Sequence, residues 1–113
     1  TVRAKEEEEA DKLIEDAKML ERIGCFALVL EKIPAHLAEK VAKSISIPVI
    51  GIGAGGGVDG QVLVIHDMLG MNNEFNPRFL RRYLDLYEQM TTAIGNYVSD
   101  VKSKDFPNAS EQY

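Results

Sequence analysis

The residue best placed to do chemistry is Glu31. It closes an unbroken apolar run, Cys25-Phe26-Ala27-Leu28-Val29-Leu30, and is followed by Lys32-Ile33-Pro34. A run apolar at every position suits a strand covered on both faces in a parallel sheet. Ligands of α/β proteins collect at the carboxyl ends of such strands, so Glu31 is an ionisable group at a site-like address. A charged residue leaving a sheet for solvent is also ordinary, and position alone leaves both readings open. A second cluster is the glycine run Gly51, Gly53, Gly55, Gly56 and Gly57 after the apolar stretch Ile47–Ile52. Gly51, Gly53 and Gly56 match the spacing of a dinucleotide fingerprint, but that motif needs a helix directly afterward to present amides to a pyrophosphate. Here Val58-Asp59-Gly60-Gln61 leads into another apolar run, and Asp59-Gly60 is turn chemistry. The glycines then mark backbone that passes close to a ligand or a neighbouring loop, which makes Gly53 and Gly55 weak candidates for substrate contact. His66-Asp67 ends the run Val62–Ile65. Adjacent residues on a strand point to opposite faces, and two ligands without a third define no metal site, so His66 stands only as a weak ligand-contact candidate. The single cysteine, Cys25, can form no internal disulfide and reads as a small core residue opening its strand.

The elements that must position these residues follow from periodicity. Ala10, Leu13, Ile14, Ala17, Leu20 and Ile23 line one face of a helix over 4–23, with Glu6 to Glu9 in its first turns and Gly24 as its stop. Strand 25–30 follows, then a short helix over 35–44 entered at Pro34, with His36 exposed on it. Ile47–Ile52 and Val62–Ile65 are the next strands. Asn76-Pro77 predicts the start of a long helix carrying Leu80, Tyr83, Leu84, Tyr87, Thr91, Ile94, Val98 and Val101 on one face. Residues 103–113 read as a polar C-terminal tail. Strands alternating with helices give an α/β fold with a parallel sheet. Three strands with two apolar faces cannot complete a layered domain, so the segment is expected to belong to something larger.

Bulk properties narrow the function. At 113 residues there is one domain at most, 45% hydrophobic and 27% charged, which is ordinary for a globular chain. A net charge of −5 without a basic patch argues against nucleic acid and anionic membrane as partners. No apolar run approaches the roughly 20 residues that span a bilayer. The acidic start has no signal-peptide pattern, and one cysteine suits a reducing cytoplasm, which is the expected location.

FALVLEKIP at 26–34, IPVIGIGAG at 47–55 and DGQVLVIHDMLG at 59–70, in this order and with these gaps, resemble ketopantoate (3-methyl-2-oxobutanoate) hydroxymethyltransferases. The resemblance extends to Phe75-Asn76-Pro77-Arg78-Phe79 and to Phe106-Pro107, nearly the whole chain. It implies a (β/α)8 barrel of the phosphoenolpyruvate/pyruvate superfamily. A full barrel takes about 250 residues, so the 113-residue chain would be one partial segment, about strands six to eight with their helices. The activity implied is transfer of a hydroxymethyl unit from 5,10-methylenetetrahydrofolate to 3-methyl-2-oxobutanoate, giving 2-dehydropantoate on the way to pantothenate and coenzyme A. In such enzymes Mg2+ holds the keto acid, its ligands coming from earlier strands than this chain contains. The glutamate of the LVLE motif, here Glu31, is the family's proton acceptor. The partners implied are the small-molecule keto acid, the folate, the N-terminal remainder of the barrel and further copies in a homo-oligomer. Two other readings are an inactive half-barrel or interaction module, and another keto-acid enzyme of the same superfamily.

Overall fold

The apolar run before Glu31 is longer than the strand it builds. In the computed structural model, which describes residues 2–113 with side chains from Glu6 onward, β1 spans Leu28–Glu31. Cys25 does not open the strand: its N–H donates to Leu20 O at 3.0 Å, which ties it to the end of the preceding helix, and it is half-buried. Pairing starts only where the Leu28 N–H reaches Pro48 O at 2.9 Å. The helix before it, α1, covers Val2–Arg22, and Gly24 at φ 107° turns the chain out of it. That left-handed conformation is open to glycine at little steric cost.

Pro34 caps α2 (Ala35–Ser44), which is followed by β2 (Val49–Ile52) and β3 (Gly60–Gln61). The three strands form one parallel sheet in the order β1-β2-β3. Leu28 lies opposite Val49, Leu30 opposite Gly51 and Glu31 opposite Ile52, while Gly60 and Gln61 lie opposite Ile50 and Gly51. The core is one cluster of Ala17, Leu30, Ala38, Val41, Val49 and Ala54. Leu13, Ile14, Leu28, Ile33, Ala42, Ile45 and Val58 pack against it. Side chains alternate across a strand, so the Leu28/Leu30/Val49 face carries α1 and α2. Val29, 64% exposed, belongs to the other face. The helices of this part of the chain thus cover the sheet on one side, where the apolar runs predict cover on both.

The third strand is a correction. Val62–Ile65 was expected to pair, but β3 is Gly60–Gln61 with one further ladder bond, from Val62 N–H to Gly51 O at 3.0 Å. With Gly60 set opposite Ile50, β2 is used up at Ile52, and the chain beyond Val62 has no strand left to bond. Ile65–Met68 forms a short helix, α3, so His66 and Asp67 sit on a helical turn rather than a strand end.

The chain forms two compact units, one running through Leu63 and one over Val64–Tyr113. In the second, the long helix α4 covers Leu86–Lys102, well past the expected start at Asn76-Pro77. Pro77 does begin a turn, with Leu80 N–H donating to Pro77 O at 3.0 Å. It does not propagate because the next donors are taken: Tyr83, Leu86 and Tyr87 N–H bond Met68, Leu69 and Gly70 O at 2.7–2.9 Å. Arg82 reinforces this by donating to Asn72 O and Phe75 O at 2.8 and 2.7 Å. Leu80, Tyr83 and Leu84 therefore lie outside α4. The tail contains a short 3-10 helix, Ala109–Glu111, with Asn108 and Glu111 capping each other's backbone.

Candidate functional site

Glu31 is the last residue of β1, and strand alternation places it with Val29 on the face away from α1 and α2. Its side chain is exposed. Its cross-strand partner is Ile52, after which Gly53 begins the glycine loop. The carboxyl ends of β1 and β2 thus lie side by side, with Glu31 and the start of that loop at one edge of the sheet. Residues flanking Glu31 on its own face are apolar: Val29 on its strand and Ile50 and Ile52 on the next.

The glycines have separable roles. Residues 53–59 carry the chain from the end of β2 back to a strand parallel to it, with no helix between. Gly53 at φ 66° and Gly55 at φ 79° make the left-handed turns this tight crossover needs. A Cβ on Gly55 would meet Ala35 Cβ at 2.5 Å, and one on Gly57 would meet Glu39 Cβ at 2.9 Å. The loop therefore packs directly on the first turns of α2. The close approach inferred from the glycines is satisfied here by protein, and the helix required by the dinucleotide fingerprint is absent. Ala54 is fully buried beneath the loop, and Gln61 Nε2 donates to Gly55 O at 2.8 Å.

Two devices, one at each end of this sheet, leave little trace in the sequence. Asp59, read as turn chemistry, accepts the Val49 N–H on Oδ2 at 2.8 Å while its own N–H donates to Val49 O at 2.9 Å, fastening the start of β2. A carboxylate one residue ahead of a glycine is the only trace it leaves in sequence. Lys32 adopts φ 53°, a conformation nothing in its residue type announces. Elsewhere in this unit, Glu39 is held below the usual carboxylate range by its hydrogen bond and charge pairing with Lys43, 2.9 Å away.

His66 lies exposed on α3, in the second unit, and His36 is exposed on α2. Among the described residues no group of three His, Cys, Asp or Glu side chains could hold a metal. No helix among the described residues is long and apolar enough to cross a membrane.

A parallel sheet with helices on one face and a carboxylate on the other, at the carboxyl edge, defines a segment of an α/β protein. The sequence pattern of the family described as ketopantoate hydroxymethyltransferase matches residues 1–109, and the chain belongs to that family. A Flavobacterium johnsoniae protein named 3-methyl-2-oxobutanoate hydroxymethyltransferase is 82% identical over 113 residues, covering 100% of this chain and 42% of the relative. Proteins of the same name from Christiangramia forsetii and Parabacteroides distasonis are each 72% identical over the whole chain, which covers 42% and 41% of them. The chain thus spans about two-fifths of the length of these curated relatives.

Proposed function

We propose that this segment supplies the proton acceptor of a 3-methyl-2-oxobutanoate hydroxymethyltransferase, and that the acceptor is Glu31. The observation that carries the reading is the address of Glu31: an exposed carboxylate at the carboxyl end of a parallel strand, on the sheet face opposite α1 and α2. In the barrel implied by the family, that face lines the interior, and the strands here would be its last three.

The chemistry asked of Glu31 is removal of the proton from C3 of the keto acid, the carbon next to the ketone. Water cleaves both C–N bonds of the methylene bridge of 5,10-methylenetetrahydrofolate, so that tetrahydrofolate departs and the one-carbon unit is delivered at the formaldehyde level. The carbon nucleophile forms its new bond to that carbon, and the alkoxide so formed takes up the proton that Glu31 removed from C3, leaving 2-dehydropantoate and the Glu31 carboxylate. The resemblance implies a Mg2+ ion, which would supply Lewis-acid stabilisation of the enolate charge. Its ligands are proposed to lie in the part of the relatives' length this chain does not cover, which would also complete the barrel. Gly53, directly after the partner of Glu31, is the glycine best placed to let a substrate approach the backbone, and His66 is kept as a weaker contact. Gly55 is assigned to loop packing. A homo-oligomer in the cytoplasm completes the proposal.

The test is Glu31→Gln in the full-length protein. The amide keeps the shape and removes the base, so deuterium exchange at C3 of the keto acid, followed by NMR, should fall by roughly 10²–10⁴-fold with keto-acid binding retained. Exchange at the wild-type rate would remove Glu31 from this role.

A further inference from the structure

Strand alternation puts Val29 and Glu31 on one face, and an uninterrupted strand would put residue 33 there as well. Ile33 instead packs against the core cluster that holds Leu30, on the opposite side of the sheet. The phase is reversed at a single residue, Lys32, whose φ is 53°. Its N–H still donates to Ile52 O at 2.9 Å, so the ladder stays intact through the reversal. Pro34 then caps α2 directly. One left-handed residue thus lets Glu31 keep the face opposite α1 and α2 while the next side chain enters the core.

Building on the assignment of Glu31 as proton acceptor, we infer that Lys32 is a positioning residue for the reaction, acting through its backbone conformation to aim the Glu31 carboxylate. Only two non-glycine residues among those described have positive φ, and one of them directly follows Glu31. The conformation is sterically costly for any side chain with a Cβ and most costly for a β-branched one. Strain of this kind persists where the surroundings over-determine it, and here the surroundings are the Lys32–Ile52 bond on one side and the burial of Ile33 on the other. The Lys32 side chain is exposed and is not what the proposal uses.

The prediction is an order rather than a single value. In the full-length protein, Lys32→Gly, Lys32→Asn, Lys32→Ala and Lys32→Val should lose C3 proton exchange in the order of their intolerance of a left-handed backbone. Glycine is expected at or near the wild-type rate and asparagine close behind. Valine should fall by about tenfold to a hundredfold, the scale of a misplaced catalytic group. KM for the keto acid should move by no more than about threefold across the series, a split that general loss of structure would not give. If the valine protein is insoluble, the order glycine, asparagine, alanine still decides. Lys32→Val combined with Glu31→Gln should be no slower than Glu31→Gln alone, because both changes act at one carboxylate. A glycine variant as slow as valine would show that the side chain matters rather than the turn, and a flat series would show that the turn does not aim the base; either overturns the proposal. Failure of the Glu31 assignment looks different: Glu31→Gln itself would then exchange at the wild-type rate.

Discussion

Through Leu63 part of the apolar side chains close a core, with Val41 and Val49 fully buried and Leu30 and Ala17 nearly so, while Phe26 and Val29 stay exposed. From Val64 onward none of the large apolar side chains is fully buried, with Ile94 63% exposed and Tyr97, Val98 and Val101 also exposed on α4. Both units are built from the same kinds of residue at regular spacing, but only the first has a sheet with helices packed on one of its apolar faces. Hydrophobic periodicity specifies which face of an element is to be covered, not whether the cover is at hand. The sheet of the first unit makes the same point, since no helix of that unit packs on its Val29 and Glu31 face.

The largest effect expected from this contrast concerns the 113-residue chain on its own. With Phe26, Val29, Ile94 and Tyr97 exposed, it should sediment as an associated species and show no hydroxymethyl transfer. Magnesium should leave its melting unchanged, since no described cluster fits a metal and a ligand stabilises only a fold that binds it. A monodisperse monomer with one cooperative melt, raised by magnesium, would break the comparison outright.

A second test separates packing from substrate contact in the glycine loop. Gly55→Ala meets both a left-handed backbone and Ala35, so in the full-length protein it should destabilise by roughly 2 kcal/mol, read from urea midpoints. Adding Ala35→Gly should recover part of that loss, because the clash is removed and the φ penalty remains. A raised keto-acid KM with unchanged stability would instead place Gly55 at the substrate.

A third test compares the two units directly. Val41→Ala removes buried methyl groups from the core and should cost about 2 kcal/mol in the full-length protein. Val98→Ala is the sharpening arm. The stripe Tyr87, Ile94, Val98 and Val101 has the three-four spacing of a face meant for burial, so a cost near that of Val41→Ala is expected once the whole protein is present. A cost within about 0.5 kcal/mol would mark it as an ordinary solvent face.

These contrasts explain which features could be read from sequence. The body of α1, α2 with Pro34 ahead of it, β2, and Glu31 as a strand end depend on local pattern and were legible. The failures involve partners elsewhere in the chain. Val62–Ile65 has the composition of a strand, but β2 runs out of residues opposite it. Asn76-Pro77 is a sound helix start, but carbonyls of Met68, Leu69 and Gly70 claim the donors that a helix would need. At the site, an all-apolar run conceals which face Glu31 takes, because alternation is visible only when polar residues mark one side. A lysine at φ 53° leaves no sign at all.

The smallest effect expected lies far from the site, where α1 is fastened to the loop before β2. Glu21 Oε1 accepts the Ser46 N–H at 2.7 Å and also the Ser46 hydroxyl. The hydroxyl bond first, and the backbone N–H second, hold the Glu21 carboxyl below its usual range. A carboxylate whose folded pKa is depressed adds stability that is complete above its unfolded value and is lost as pH falls through the folded value. The melting difference between wild type and Ser46→Ala should therefore be constant near neutral pH. It should shrink below the ordinary glutamate value of about 4.3 and vanish once Glu21 is protonated in the folded protein. Glu21→Gln should remove that pH dependence, since the amide oxygen still accepts hydrogen bonds but carries no charge to titrate. The pair is solvent-accessible, so the effect should be modest and concern only the junction of α1 with the loop before β2. A difference that grows as pH falls would have the wrong sign for this clamp and would detach Glu21 from it.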